Sequence, residues 1–266
     1  MKKPTLAAVL AARRASARRP GFVPFLVAGD PSPAATVKAA RALAEAGADI
    51  LEVGVPFSDP VADGPVIQAA GQRALAKGMT LTRAAALVKS LRRSGVPTPA
   101  VLFTYLNPIL RLGLREFARL CADSHVAAAL IVDLPVEDAA PYAKALAARG
   151  VEIVLLASPT TTDERLRAIG RGSGSLVYYV SREGVTGVRA GLAPGLAERL
   201  ERVRRLTGKP LIVGFGVAEP AQARALAPHA EGVVVGSALV AAAAKGGPAA
   251  VGRLARRLVN ALEASC

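Results

Sequence analysis

The sequence predicts a single (β/α)8 barrel domain over residues 1–266, and three observations support this fold. The chain has 266 residues, of which 52% are hydrophobic, and this length is typical of one closed barrel. Short runs rich in Val, Ile and Leu alternate with longer segments of helical period, as in parallel strands joined by helices. Polar and glycine-rich segments follow these runs, which places them on one rim of a barrel.

Eight strands are predicted, and a segment of helical period follows each of them. The strands cover residues 22–28, 49–55, 99–105, 127–133, 151–157, 175–180, 210–215 and 232–236. Helical crossovers between parallel strands are expected to be right-handed, and no internal linker rich in proline and glycine divides the chain. A doubly wound open sheet is the competing architecture, since it shows the same alternation.

The segment before the first strand predicts an extra N-terminal helix that closes the bottom of the barrel. Leu6, Val9 and Leu10 have the spacing of one helical face. The start of the chain is basic and then briefly apolar, which also resembles a targeting peptide. Because Arg13 and Arg14 end the apolar run, we expect a structural helix instead.

Composition limits the classes of protein to which the chain can belong. Charged residues or prolines break every apolar segment before the ~20 residues that a membrane-spanning helix needs, so we expect a soluble protein without a membrane partner. The two cysteines, Cys121 and Cys266, are too few for a disulfide framework or a zinc site. A cytoplasmic location is therefore expected.

The net charge of +14 raises the possibility of nucleic-acid binding. The arginines are scattered along the sequence, only 4% of the residues are aromatic, and no nucleic-acid-binding motif is found. We therefore expect no nucleic-acid partner. The charge still predicts a general attraction for anionic small molecules.

The stretch "LEVGVPFSDPVADGP", residues 51–65, contains three carboxylates. Glu52 lies in a strand that a parallel sheet buries on both faces, where burial raises the pKa of a carboxyl group toward the range of a general acid/base. Asp63 follows on the same rim and is the second candidate. Asp59 precedes a proline and predicts a helix cap or a surface contact. The alternatives are a Glu52 that is solvated or paired with arginine, and an Asp63 that only forms a turn.

Residues that other mechanisms need are missing from the expected rim. No lysine lies at the carboxyl end of a predicted strand, where a Schiff base would face substrate, and Lys209 precedes its strand. The two histidines, His125 and His229, are isolated, which argues against a metal site or a Ser-His-Asp triad. Acid/base catalysis by carboxylates, without a cofactor or metal, is the mechanism that the sequence favours.

The last quarter of the chain predicts an anion site. Gly216 follows the seventh strand, and Gly236 and Ser237 follow the eighth. Their backbone N–H groups are expected near a helix N-terminus on the active rim, where this fold commonly holds a phosphate group. Glycines that serve only tight turns are the alternative.

Seven segments closely resemble the tryptophan synthase alpha chain family in their order and spacing. They are "FVPFLVAGDP", "LEVGVPFSDPVADGPVIQ", "LFTYLNPI", "LIVDLPVED", "YYVSREGVTG", "VGFGV" and "VVVGSALV". The resemblance covers the chain from about residue 20 to about residue 260, and "GVPFSDPVADGP" is its most specific part. It implies a (β/α)8 barrel and a lyase that cleaves indole-3-glycerol phosphate to indole and glyceraldehyde 3-phosphate by a retro-aldol reaction.

The same resemblance implies roles for individual residues. Glu52 corresponds to the general acid/base, Asp63 to the carboxylate that engages the indole N–H, and Tyr178 to their neighbour. The residues that correspond to the phosphate cradle are Gly187, Phe215, Gly216, Gly236 and Ser237. Asp59 corresponds to a contact with the partner and Thr186 to the closing lid, although the following segment, "VRAGLAPG", leaves the lid's contacts undefined.

The resemblance also implies a partner, a pyridoxal-phosphate-dependent beta chain that receives indole directly in an alpha2-beta2 heterotetramer. No cofactor is then expected in this chain. Three other hypotheses stay open. They are a free-standing lyase that releases indole, a non-catalytic barrel retained as an allosteric subunit, and a basic protein that binds nucleic acid.

Overall fold

The computed structural model describes residues 3–180, 194–214 and 216–264, and these residues include eight strands. The strands are β1 Gly21–Val27, β2 Leu51–Gly54, β3 Ala100–Thr104, β4 Ala128–Ile131, β5 Glu152–Ala157, β6 Val177–Val180, β7 Leu211–Gly214 and β8 Gly232–Val235. Each strand pairs in parallel with the next, and β8 pairs with β1 to close the barrel. The predicted barrel is confirmed, and closure excludes the open doubly wound sheet.

Eleven α-helices are found in the part of the chain that the structure describes. They are α1 Leu6–Ala17, α2 Pro33–Glu45, α3 Pro65–Ala76, α4 Leu81–Arg93, α5 Leu106–Leu112, α6 Leu114–Asp123, α7 Ala139–Ala147, α8 Asp163–Gly172, α9 Leu196–Thr207, α10 Pro220–Leu226 and α11 Ser237–Glu263. A single 3-10 turn, Val136–Asp138, precedes α7. Helix α11 is interrupted by non-helical backbone at Gly246 and Gly247.

The helices begin where local sequence chemistry favours a start. Pro33, Pro65 and Pro220 each occupy the first helical position, where the missing N–H of proline has no helical partner to lose. The side chains of Thr80 and Thr162 accept hydrogen bonds from backbone N–H groups in the first turns of α4 and α8. These caps satisfy donors that the helix itself leaves unpaired.

The apolar core has an outer layer between strands and helices and an inner layer inside the barrel. Inward-facing residues of the inner layer include Val23, Val101, Leu130, Val154, Ile212 and Val234. Such layers fill the barrel with side chains, so that ligands bind at its mouth rather than along its axis.

Helix α1 closes the amino-terminal end of the barrel, as the sequence predicts. Leu6 and Leu10 are buried in the inner layer of the core, and Val9 packs against it. The backbone N–H of Leu6 donates to Glu152 Oε1 at 2.8 Å, which fixes the start of the helix to strand β5.

A buried ion pair holds the other end of α1 in place. Asp49, just before β2, accepts hydrogen bonds from Arg13 Nε at 2.5 Å, from Arg19 Nη1 at 2.7 Å and from the backbone N–H of Phe22 at 2.8 Å. The side chains of Arg19 and Asp49 are each 2% exposed. Buried charges of this kind are tolerated because they are paired and hydrogen-bonded.

Two expectations from composition concern membrane spans and cysteines. Across the described ranges, no helix has the length and apolar character needed to cross a membrane. Cys121 is buried and forms no disulfide with any residue that the structure describes, and burial raises the pKa of its thiol to about 12. Cys266 lies outside the described residues.

Candidate active site

A cavity of about 490 Å³ opens at the carboxyl-terminal rim of the barrel. Strands β1, β2, β3, β5, β6, β7 and β8 contribute to its wall, through Phe25, Glu52, Phe103, Leu156, Ala157, Tyr178, Val180, Gly214 and Val234. The segments that follow the strands add polar groups, namely Asp63, Ser158, Thr161, Arg165, Gly216, Gly236 and Ser237. This lining, mostly apolar with a few convergent polar groups, is typical of a small-molecule site.

Glu52 is the most deeply buried acidic group of this cavity. Strand β2 pairs it with Phe25 on one side and Val101 on the other, and the residue is 1% exposed. Neither carboxylate oxygen has a hydrogen-bond partner among the described residues. Because burial removes water from the charged form, the pKa of Glu52 rises to about 8. The alternative of a Glu52 paired with arginine is not observed within the described residues.

Asp63 lies on the loop between β2 and α3 and faces the same cavity. Its backbone N–H donates to the carbonyl oxygen of Pro60 at 3.2 Å, so the residue also forms the turn that its sequence predicts. Burial raises the pKa of its carboxyl group, and a hydrogen bond from Tyr105 opposes that rise. No such donor to Glu52 is found among the described residues, so nothing in this part of the chain offsets the effect of its burial.

Tyr105 is a site residue that sequence reasoning did not single out. Its hydroxyl donates to Asp63 Oδ2 at 3.3 Å and accepts from the backbone N–H of Ala62 at 3.2 Å. Its ring stacks on Phe57 with centroids 4.9 Å apart. The available signal was its place just after the third strand, within the segment "LFTYLNPI". Tyr105 therefore fixes both ends of the loop that carries Asp63.

Tyr178 lies beside Glu52 in the floor of the cavity. The residue is 7% exposed, and its pKa is raised well above the usual value, first by burial and then by the negative charge of Glu52. Its hydroxyl occupies space beside Gly214, where an added Cβ would lie 2.3 Å from the hydroxyl oxygen. Gly214 is thus required for close packing against Tyr178.

The predicted phosphate residues that the structure describes share this cavity. Gly216, Gly236 and Ser237 all line it, and Ser237 is the first residue of α11. The first N–H groups of a helix have no partner inside the helix and attract anions. Gly216 has φ of 54°, a left-handed conformation that favours glycine. The predicted residues Gly187, Thr186 and Phe215 lie outside the described residues.

Asp59 lies apart from the cavity. Its side chain is exposed and accepts a hydrogen bond from the hydroxyl of Ser58. Helix α3 has Gly64 rather than Asp59 at its N-cap position. A surface contact with a partner stays a prediction for Asp59.

The segment after β5 contributes polar residues that the sequence did not indicate. The hydroxyl of Ser158 lies 3.1 Å from those of Thr160 and Thr161, and Arg165 pairs with Glu137 at 3.0 Å. These residues follow no motif with a chemistry of its own. Only their position after a predicted strand could have identified them.

In the part of the chain that the structure describes, lysines and clusters of metal-ligating side chains are not found at the cavity. No lysine lies in the lining of the cavity, and Lys209 instead donates to the carbonyl oxygen of Gly174 at 2.8 Å. Among residues 3–180, 194–214 and 216–264, no group of three or more His, Cys, Asp or Glu side chains is arranged to hold a metal ion. The chemistry that this site supports is proton transfer by carboxyl groups on an anionic substrate.

Comparison with known proteins gives a consistent result. The model of the family described as tryptophan synthase alpha chain matches residues 11–264. The tryptophan synthase alpha chain of Phenylobacterium zucineum is 49% identical over 222 residues, which cover 84% of this chain and 80% of the relative. That of Bordetella pertussis is 45% identical over 235 residues, covering 88% of this chain and 82% of the relative.

Solved structures extend the similarity to the fold. The structure of Mycobacterium tuberculosis tryptophan synthase in space group F222 superposes with a TM-score of 0.90 at 36% identity, covering 98% of this chain and 99% of that chain. The alpha subunit of tryptophan synthase from Legionella pneumophila gives a TM-score of 0.88 at 35% identity, over 97% of this chain and 98% of the other. Sequence and fold are therefore similar over nearly the whole chain.

Proposed function

Because this chain belongs to the tryptophan synthase alpha chain family, whose members cleave indole-3-glycerol phosphate, we propose that Glu52 and Asp63 perform that cleavage here. The family makes the protein a carbon–carbon lyase of tryptophan biosynthesis. The observation that carries the assignment of residues is the buried Glu52 carboxyl group, which has no hydrogen-bond partner among the described residues and lines the same cavity as Asp63.

The reaction breaks the bond between C3 of the indole ring and the adjacent carbon of the glycerol chain. In its neutral form, Glu52 donates a proton to C3, which leaves a cation on the ring nitrogen. Asp63, as a carboxylate, accepts a hydrogen bond from the ring N–H and stabilises that cation. The Glu52 carboxylate then takes the proton of the side-chain hydroxyl while the carbon–carbon bond breaks. Indole and an aldehyde are released, and Glu52 is neutral again.

The pKa of about 8 for Glu52 suits this cycle. A group of this pKa is largely protonated at neutral pH, so it can act as an acid, and its conjugate base is strong enough to accept the hydroxyl proton. The rate should therefore fall as the pH rises through about 8. It should also fall in acid, where Asp63 becomes protonated.

The remaining polar groups of the cavity hold the substrate. Gly216, Gly236 and Ser237 are proposed to bind the phosphate group through backbone N–H groups near the start of α11, together with Gly187 and Phe215. Tyr178 lies next to Glu52 and limits the space around its carboxyl group. The loop around Thr186 is proposed to close over bound substrate.

The partner is also part of the proposal. The name alpha chain, carried by the relatives, and the tryptophan synthase structures imply a beta chain. We propose that it holds the pyridoxal phosphate, that this chain needs no cofactor, and that the two assemble as an alpha2-beta2 heterotetramer in the cytoplasm. Asp59, on the exposed part of the loop, is the proposed contact with the beta chain.

The test is indole release from indole-3-glycerol phosphate by the purified chain and by its Glu52→Gln and Asp63→Asn variants, each with and without a beta chain. Both variants should lose at least ~10²-fold in rate, since each removes one proton-transfer or charge-stabilising group. Glu116→Gln is a matched control, because Glu116 is exposed and pairs with Arg119 on α6.

Two outcomes would contradict the proposal. Near-normal indole release by Glu52→Gln would mean that the proton comes from another group. A wild-type chain that reaches its full rate without a beta chain would favour a free-standing lyase over a partner-coupled one.

A further inference from the structure

A bidentate ion pair joins the first strand's exit loop to helix α3. Arg73, in the last turn of α3, donates from Nε to Asp30 Oδ1 at 2.8 Å and from Nη2 to Asp30 Oδ2 at 2.9 Å. The Asp30 side chain is 3% exposed, whereas that of Arg73 is 44% exposed. Two parallel bonds fix the orientation of both planar groups, which a single contact cannot do.

Asp30 lies on a loop that several hydrogen bonds hold in place. The hydroxyl of Thr36 accepts from the N–H of Gly29 at 3.1 Å and lies within hydrogen-bond distance of the carbonyl oxygens of Asp30 and Ser32. The backbone N–H of Asp30 donates to Val27 at 3.3 Å, at the end of β1. Asp30 is therefore positioned by the barrel wall itself.

Arg73 lies on the helix that directly follows the loop carrying Asp63. Helix α3 starts at Pro65, next to its N-cap Gly64, and Gln68 Nε2 donates to the carbonyl oxygen of Asp63 at 2.8 Å. A second basic residue, Lys77, donates to the carbonyl oxygen of Pro31. A shift of α3 along or around its axis would thus carry the backbone of Asp63 with it.

We propose that Arg73 and Asp30 are positioning residues, which hold α3 against the barrel so that the Asp63 carboxylate meets the indole N–H. The inference rests on the role proposed for Asp63 and deepens it. Neither residue touches the reacting atoms, and neither is needed for the phosphate end of the site, which the segments after β7 and β8 form. Small displacements of a catalytic group are costly, since a shift of about 1 Å can lower a rate ~10²-fold.

The proposal predicts that the effect of Arg73 on the rate passes through Asp63. Arg73→Gln and Arg73→Lys should each lower kcat/KM for indole-3-glycerol phosphate by about tenfold, because lysine cannot reproduce the bidentate geometry. The inhibition constant of inorganic phosphate, measured in competition with indole-3-glycerol phosphate, should stay within about twofold of the wild-type value. In an Asp63→Asn background, the further loss from either Arg73 substitution should shrink to less than about twofold, because the group that Arg73 positions is then missing.

A purely structural role gives different results. It predicts that the losses from Arg73→Gln and Asp63→Asn multiply, or that phosphate binding weakens in parallel with the rate, and either result would overturn the proposal. If Arg73→Gln folds poorly, Arg73→Lys keeps the charge, and the same comparison is made with it. Arg119→Gln is the matched control, since Arg119 binds Glu116 through Nε and Nη2 on the surface of α6 and should leave kcat/KM unchanged.

The two proposals fail in different ways. Full activity of Asp63→Asn alone would refute the proposed function, and the positioning inference with it. A severe loss in Asp63→Asn combined with multiplying losses would refute only the inference.

Discussion

Two buried carboxylates, Asp49 just before strand β2 and Glu52 within it, differ in their surroundings. Asp49, at the amino-terminal end, accepts hydrogen bonds from two arginines and one backbone N–H. Glu52, three positions further on, accepts none from the described residues, although it is 1% exposed. Asp49 is thus compensated by its partners, whereas Glu52 has no such partner among the described residues.

This difference separates stability from chemistry along one strand. Removal of a compensated carboxylate destabilises the fold, because its buried arginine partner is left unpaired. An uncompensated one resists ionisation, and the pKa of Glu52 rises to about 8, in the range where a group can both give and take a proton at neutral pH. Substitution of Asp49 should therefore lower the free energy of unfolding, whereas substitution of Glu52 should lower the rate of indole release.

The largest effect on folding is expected from the loss of Asp49. Asp49→Ala leaves Arg19, whose side chain is 2% exposed, buried without its main partner, and should lower the free energy of unfolding by ~3–5 kcal/mol. Urea denaturation measures this loss. The kcat of the variant, measured at a temperature where it is folded, should stay within about threefold of wild type. A large drop in kcat with unchanged stability would mean that Asp49 contributes to the chemistry and not to the stability of the fold.

A smaller effect on stability, of opposite sign, is expected from Glu52→Gln. The pKa of Glu52 is about 8 in the folded protein against 4.5 for the ordinary group. Between these values, unfolding releases a proton, so the stability of the wild type falls as the pH rises. The glutamine variant lacks this penalty.

As the pH rises from about 5 to about 9, the free energy of unfolding of the variant should increase relative to that of the wild type by on the order of a few kcal/mol. Denaturant unfolding at both pH values measures the difference. A difference that is independent of pH would mean that Glu52 is solvated or paired in solution.

The smallest effect is expected from Tyr105→Phe. The hydrogen bond from Tyr105 lowers the pKa of Asp63 against the effect of burial, so its removal should raise that pKa. The acid limb of the pH–rate profile should then move to higher pH, with a rate loss at neutral pH of about tenfold or less, since a typical hydrogen bond contributes ~0.5–1.5 kcal/mol. Tyr142→Phe, on α7, is a matched control. An unshifted acid limb would mean that Tyr105 does not influence the ionisation of Asp63.

Periodicity and residue type sufficed to predict the barrel and the rim that carries the site. The strand containing Glu52 was predicted over 49–55 and is observed as Leu51–Gly54, because Asp49 precedes the ladder and bonds to Arg13 and Arg19 instead. The same local reasoning placed the helix with Leu6 and Leu10 at the bottom of the barrel. Alternation along the chain is a local property, and the pairing of successive strands follows from it.

Contacts between side chains that are distant in sequence could not be predicted in this way. The hydrogen bond from Tyr105 to Asp63 and the pair between Arg73 and Asp30 join residues that are distant in sequence. Their geometry depends on how the loop after β2 folds back over the rim, and neither periodicity nor composition determines that path. That no described residue bonds to the Glu52 carboxyl group is likewise a property of the packed structure.

Titration of Glu52 itself tests most directly whether it is the proton donor. The carboxyl stretching band of Glu52 can be isolated by infrared difference spectroscopy between the wild type and Glu52→Gln across the pH range in which both are folded. If Glu52 is the proton donor, a protonated carboxyl band is present at neutral pH and disappears with a midpoint near the pKa of about 8. A band that is already lost near the ordinary value of 4.5 would show that Glu52 is ionised at neutral pH and would contradict its role as the proton donor.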